Sequence, residues 1–200
     1  VFSEVEKERA DYGVVPVENS TEGVVNHTLD MFMESDLVIC AEREESISHN
    51  LLSAINDLKK IKVVYSHSQG FAQCRRWLEA HLPHVTYKEA ASTADAAAHA
   101  AIDPGNAAIA SKIAAKIYHL KVLASRIEDS LHNTTRFIII GRNYPNPSRR
   151  DKTSILFSVK DRVGALHDML VPFEKHNINL TKIESRPSKR KPWEYVFFVD

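Results

Sequence analysis

Glycine is scarce in this chain, with six among 200 residues, and none stands in a G-x-G-x-x-G or Walker arrangement. A backbone cradle for nucleotide phosphates is therefore not expected. Cysteine is scarcer still: Cys40 and Cys74 are the only two. Both sit in apolar patterns without framework spacing and read as reduced core residues rather than a disulfide pair. No apolar run approaches the roughly 20 residues that cross a bilayer, and the first residues lack the basic, apolar and small-residue order of a signal peptide. Net charge is missing too, because 26 basic residues balance 26 acidic ones. That removes the electrostatic footprint expected of a nucleic-acid or acidic-membrane partner. Ten histidines include no H-x-x-x-H pair on a helix, so they read as ordinary residues rather than metal ligands. The cluster Lys189, Arg190, Lys191 reads as a solvated turn. The expectation is a cytoplasmic protein that binds a small molecule and takes no nucleic acid, membrane, metal or cofactor.

What is present is 44% hydrophobic, enough for one good-sized core or two smaller ones. Strand and helix patterns alternate. Strands are predicted over 12–17, 37–41, 62–66, 85–88, 107–110, 121–124 and 137–140. A helix is predicted within "NSTEGVVNHTLDMFMES", capped by Ser20 or Thr21, with Val24, Val25, Thr28, Leu29 and Phe32 on one face. A helical turn is predicted over 51–58. Further helices follow in "FAQCRRWLEAHL", in the alanine-rich stretch opened by Ser92, and in "SKIAAKIYHL". This order implies βαβ units and a mainly parallel sheet covered on both faces, with the ligand beyond the carboxyl ends of the strands.

"GRNYPNPSRRDK" is linker chemistry. Beyond it, "TSILFSVK", "GALHDMLVPFEKHN", "INLTKIESRP" and "WEYVFFVD" give a β-α-β-β order. A ferredoxin-like module needs one more helix and strand, so this part reads as truncated at its C-terminus. The boundaries expected are 1–141, a linker over 142–152, and 153–200.

Polar residues gather where apolar strands end. "VVPVENSTEG" delivers Glu18, Asn19 and Ser20; "VVYSHSQGFAQC" delivers Ser66, Gln69 and Gln73; "HNTTRFIIIG" places Thr134, Thr135 and Arg136 at a strand mouth. Singly, each reads as helix-capping or turn chemistry. In this order they resemble prephenate dehydratase: "GVVPVENSTEGVV" is similar to the family's P-x-E-N-S/T segment, "YSHSQGFAQC" to its S-H-x-Q-x-x-x-Q-C segment, and "NTTRF" to its T-R-F signature. "GAL" and "IESRPS" resemble the ACT regulatory domain that follows. Ser68 and Val163 depart from the family's usual prolines. The family's N-terminal strand and G-P-x-G-T loop are not in the chain, so it reads as an internal fragment of a longer enzyme; some members of the family carry a chorismate mutase domain ahead of the dehydratase.

The resemblance implies an α/β, periplasmic-binding-protein-like two-lobed dehydratase domain, truncated at its N-terminus, followed by a ferredoxin-like α+β ACT domain. It implies the decarboxylating dehydration of prephenate to phenylpyruvate in phenylalanine biosynthesis. Catalysis falls to Thr135, at the leaving hydroxyl, with Glu18 and Arg136. Asn19, Ser20, Ser66, Gln69, Gln73 and Thr134 bind substrate. On residues alone, Arg136 equally reads as a structural partner of Glu18 or Asp129. Phenylalanine is the implied effector, at Gly164, Ala165, Leu166, Glu184, Ser185, Arg186 and Pro187, in a homodimer or homotetramer. Two other readings stand beside this one: arogenate dehydratase, and a non-catalytic carboxylate-binding module of periplasmic-receptor type.

Overall fold

Val15 and Val17 are buried, while Val14 before them is exposed and Pro16 between them is half-buried, the period of two of a strand with one face on a core. The structure, a computed structural model, describes residues 1–130, 132–159, 162–189 and 193–200; Arg190 and Lys191 of the basic turn lie outside the described residues. In chain order its elements are α1 (Phe2–Glu6), β1 (Tyr12–Asn19), β2 (Gly23–Val24), α2 (Asn26–Phe32), β3 (Val38–Ser46), β4 (Asn50–Ser53), β5 (Val63–Ser66), α3 (Ser68–Gln73), α4 (Arg75–His81) and β6 (Thr86–Glu89). There follow α5 (Thr93–Ile102), β7 (Asn106–Ala110), α6 (Lys112–Ile117), β8 (Lys121–Ser125), β9 (Thr134–Gly141), β10 (Ile155–Ser158), α7 (Ala165–Lys175), β11 (Ile183–Pro187) and β12 (Tyr195–Val199). Two units divide the chain: Val1–Glu18, Val24–Arg43 and Arg136–Asp200 form the first, Asn19–Gly23 and Glu44–Thr135 the second.

A four-stranded sheet of order β2-β1-β9-β3 supplies most of the first unit's core, where Val15, Val17, Ile138 and Ile140 pack with Phe2, Val5 and Leu29. The same unit contains an antiparallel three-stranded sheet of order β10-β12-β11. Ile155 and Ile183 both lie opposite Val199, and the β-α-β-β order is as expected. The predicted helix start at Ser20 or Thr21 is not observed; α2 begins at Asn26. The physical reason lies in Asn19, whose Oδ1 accepts the backbone N–H groups of Thr21 (2.9 Å) and Glu22 (3.0 Å). That side-chain turn continues through Gly23 at φ +86°, a conformation open to glycine, and the chain then forms β2 before it can wind.

The second unit is a five-stranded sheet of order β6-β5-β7-β4-β8. Strand β5 runs parallel to β6 and β7, whereas β4 runs antiparallel to β7 and β8, so this sheet is mixed rather than mainly parallel. The difference traces to one segment. The helical turn expected over 51–58 is strand β4, followed by a 3₁₀ turn at Leu58–Lys60. Leu51 and Leu52 are fully buried because successive strand side chains face opposite ways and both faces are covered. Leu51 packs with Ile61, Val64, Leu78 and Ile109, and Leu52 with Ala96, Ala100, Ala108 and Leu120. An apolar pair buried on two faces carries no alternation, and its period alone does not separate helix from strand. Elsewhere the expected cap at Ser92 is present, accepting from the N–H of Asp95 to open α5, and Ser111 accepts likewise from the N–H of Ala114 to open α6.

Leu51→Ala is expected to destabilise the full-length protein by about 2–5 kcal/mol, through lost burial and the cavity left behind. Ile102→Ala, at a position 78% exposed, is expected to change stability by less than about 0.5 kcal/mol. Urea unfolding followed by circular dichroism separates the two, and equal effects would remove β4 from the core.

Candidate active site

The turn that delays α2 also fixes the direction of a side chain. With Oδ1 of Asn19 held by two backbone N–H groups, its Nδ2 is the donor that faces away. It donates to Thr135 Oγ1 at 2.8 Å and to Asn133 Oδ1 at 2.7 Å. Thr135 is buried and accepts here, so its own O–H remains available to donate. Ser20 fastens the same turn to the start of β9. Its N–H donates to the Thr134 carbonyl, and its hydroxyl donates to the His132 carbonyl while accepting the Thr134 N–H.

Gln73, the last residue of α3, joins from a third segment. Asn133 Nδ2 donates to its Oε1 at 2.8 Å, His49 Nε2 lies 2.7 Å from the same oxygen, and Gln73 Nε2 donates to Glu22 Oε1 at 3.0 Å. The helix predicted in "FAQCRRWLEAHL" is in fact two, α3 and α4, which meet at Cys74. Asp129 makes that break possible: its carboxylate accepts the N–H groups of Arg76 and Trp77, and its own N–H donates to the Gln73 carbonyl. Burial, aided by Glu128 and Asp129, pushes the Cys74 thiol up to about 12, which makes it a core group and no nucleophile.

Of the residues singled out in the sequence, the structure therefore brings together Asn19, Ser20, Gln73, Thr134 and Thr135. Ser66 is fully buried at the end of β5. A Cβ at position 70 would collide with its Oγ, so Gly70 is the residue that leaves room for this hydroxyl. Gln69 is exposed on α3. Glu18 and Arg136 belong to the first unit, and both are ion-paired there. Glu18 meets Lys182 at 2.7 Å, while Arg136 meets Glu42 at 2.8 Å and Asp200 at 2.6 Å. Burial acts to raise Glu42, but hydrogen bonds from Lys152 and Arg136 outweigh it and hold the carboxyl below its usual range. Of the effector candidates, Gly164 stands at φ +78° ahead of α7, Ala165 and Leu166 open that helix, and Glu184, Ser185, Arg186 and Pro187 lie on β11. Arg186 donates to Asp30 at 3.0 Å.

The sequence assigns no role to His49 or Glu22, and places Asn133 at the strand mouth without one. Asn133 precedes Thr135 by two positions, the spacing that puts two strand side chains on one face, and that was the available signal. His49 had none, because the segment that follows it reads as helix. A cavity of about 200 Å³ adjoins the cluster, lined by Thr21, Glu22, Gln73, Asp129 and Asn133 among others. Glu22, Glu128 and Asp129 border it, so it is not by itself a site for a dianion. The neutral amides and the hydroxyl are suited instead to holding and protonating an uncharged oxygen.

An α/β unit with an amide–hydroxyl cluster at its strand ends, in a chain that also carries an antiparallel α+β module, defines the class: an α/β segment with a polar cluster, followed by a small α+β module. The family model for prephenate dehydratase matches residues 1–145 and that for the ACT domain residues 153–200, and the chain belongs to the prephenate dehydratase family, with an ACT domain after the dehydratase segment. The bifunctional chorismate mutase/prephenate dehydratase of Aquifex aeolicus (strain VF5) is 56% identical over 200 residues, which is 100% of this chain and 55% of that protein. The chain thus spans about half the length of that curated relative. The prephenate dehydratase of Methanocaldococcus jannaschii is 42% identical over 192 residues, 94% of this chain and 70% of that one. A solved prephenate dehydratase from Arthrobacter aurescens in complex with L-Phe matches with a TM-score of 0.87 at 35% identity, covering 98% of this chain and 67% of that one. The fold class is that of the mixed α/β, periplasmic-binding-protein-like dehydratases followed by an ACT domain.

A carboxyl whose folded pKa is depressed stabilises the folded state above its unfolded value, and that contribution is lost as pH falls through the folded one. Wild-type protein is therefore expected to lose stability as pH drops below about 4.3, the ordinary glutamate value, in part through Glu42. The Glu42→Gln variant should show a shallower loss over the same interval in urea titrations at a series of pH values. Parallel curves would mean that the Glu42 pairing adds nothing to the acid transition.

Proposed function

We propose that this protein converts prephenate to phenylpyruvate and that phenylalanine inhibits it through the ACT domain. The reaction breaks the bond from the ring to its carboxylate, releasing carbon dioxide. The freed electron pair makes the ring aromatic as the 4-hydroxyl departs. Hydroxide is a poor leaving group, so a proton or strong hydrogen bond must reach that oxygen, which then leaves as water. The observation that carries the reading is the Asn19–Thr135 hydrogen bond, in which the threonine oxygen accepts and its proton is left for the substrate. Asn19 polarises that hydroxyl, which compensates for its weak acidity. Gln69 and Ser66 are retained as substrate-binding proposals, while Glu18 and Arg136 are assigned to holding the ends of β1 and β9.

Regulation is supported by where the charges next to the site go. Glu18 immediately precedes Asn19 and Arg136 immediately follows Thr135. Their partners Lys182 and Asp200 both lie within the ACT match. Ile155, Ile183 and Tyr195 on the ACT sheet are each more than a third exposed, which supports assembly with further copies as a homodimer or homotetramer. A biosynthetic reaction of this kind belongs in the cytoplasm.

With prephenate as substrate, full-length Thr135→Ala is expected to lower kcat by at least about a hundredfold with KM little changed, and Thr135→Ser to retain much more. Near-normal turnover in Thr135→Ala would return the residue to a structural role, and a wild-type protein that turns over arogenate alone would change the substrate.

A Cβ at Gly164 would meet nothing within 4 Å, so a side chain there projects into open space at the start of α7. Asparagine tolerates positive φ better than most residues, which makes Gly164→Asn the probe of that space with the least added backbone strain. This variant is expected to keep its uninhibited turnover and lose most inhibition by phenylalanine in a dose–response assay. Unchanged inhibition would exclude the site.

A further inference from the structure

The hydrogen bonds of the cluster have a direction, and it runs to a residue outside the reacting set. Asn19 is oriented by backbone donors that cannot reverse, so it presents Nδ2 to Asn133, which must answer with Oδ1. Asn133 then turns Nδ2 toward Gln73, whose Oε1 accepts it, and Gln73 turns its own Nε2 to the Glu22 carboxylate. The N–H of Glu22 returns to Asn19 Oδ1, closing a ring of four side chains with one sense of donation. His49 Nε2, 2.7 Å from Gln73 Oε1, faces an acceptor with no hydrogen to give, and therefore carries the proton itself.

We propose that His49 is a positioning residue for the reaction: its Nε2–H donates to Gln73 Oε1, adds a second donor against the flipped amide of Gln73, and so holds Asn133 and Asn19 in the alignment that leaves the Thr135 proton free. A flipped Gln73 would point its NH₂ at two donors, Asn133 Nδ2 and His49 Nε2, and its oxygen at the Glu22 carboxylate. Asn133, held by Asn19, opposes that flip from one side; the imidazole opposes it from a second, and cannot reverse without changing tautomer. His49 is suited to this task. It is 8% exposed, its backbone N–H is held by the buried Glu128 carboxylate at 2.9 Å, and its carbonyl accepts the N–H of Ile127 at 2.9 Å. The ring therefore approaches Gln73 from a backbone fixed on both sides.

This inference rests on the dehydratase reading, and wild-type turnover of prephenate separates the two: absence of turnover in the wild-type full-length enzyme fails the reading itself, whatever the variants do. Given that turnover, His49→Leu, which removes the donor at similar volume, is expected to lower kcat by about tenfold or more with KM little changed, as for the loss of one hydrogen bond felt in the transition state. His49→Gln, whose amide N–H reaches a similar position, should recover most of the loss. In a Gln73→Ala background His49→Leu should have little further effect, since the two act as one unit. A His49→Leu enzyme within about twofold of wild-type kcat, or an effect that persists undiminished without Gln73, would overturn the proposal. Should His49→Leu fail to fold, nitrogen NMR of histidine-labelled wild-type enzyme decides the matter at a pH where the ring is neutral. The signal lost in His49→Gln is expected to show a protonated Nε2, and a protonated Nδ1 with bare Nε2 would overturn the assignment.

Discussion

An amide whose oxygen is occupied by two backbone N–H groups has only one orientation, and the site depends on that constraint at Asn19. Reversing it would set its NH₂ against the N–H groups of Thr21 and Glu22 and its oxygen against two acceptors, Thr135 and Asn133, leaving several polar groups unpaired. Each such group costs on the order of 1–3 kcal/mol when buried. The turn at Asn19, Thr21 and Glu22 is thus both the end of a strand and the origin of polarity in the cluster. It also closes the circuit, because Glu22 contributes an N–H at one end and a carboxylate at the other.

Much of the architecture was legible because periodicity and capping are local. Strands β1 and β5 follow from alternation, β7 and β9 from short apolar runs bounded by polar residues, and helix α5 from its serine cap, and their residues report their own environment. Strand β4 was not legible, since Leu51 and Leu52 face different cores and a doubly buried strand shows no alternation. The late start of α2 was hidden for the opposite reason. Ser20 and Thr21 are good caps by type, but Asn19 engages the N–H groups of the residues behind it first, and Gly23 extends the turn.

At the site, the residue types could be read from ordered motifs, but their directions could not. Asn19 and Asn133 stand 114 positions apart, and which atom of each amide donates is decided only when a backbone N–H or a carboxylate at one end fixes the chain of bonds. His49 illustrates the limit. As one of ten histidines it carries no local mark, and its tautomer follows from a glutamine that follows in turn from two asparagines.

The T-R-F signature joins residues with separate duties, and strand geometry is the reason. Successive side chains point to opposite faces, so a buried Thr135 that accepts from Asn19 obliges Arg136 to face the other way, where it meets Glu42 and Asp200. Glu18 and Asn19 repeat the division on β1, with the charge on Lys182 and the amide on Thr135. The two neutral partners of the 2.8 Å bond are therefore each flanked by a residue ion-paired to the ACT segment. A hydrogen bond of that length weakens steeply over a few tenths of an ångström and with misalignment. The charged neighbours are thus held within the first unit, Glu18 by Lys182 and Arg136 by Glu42 and Asp200, and the neutral pair is left to make its bond without a competing charge from either strand.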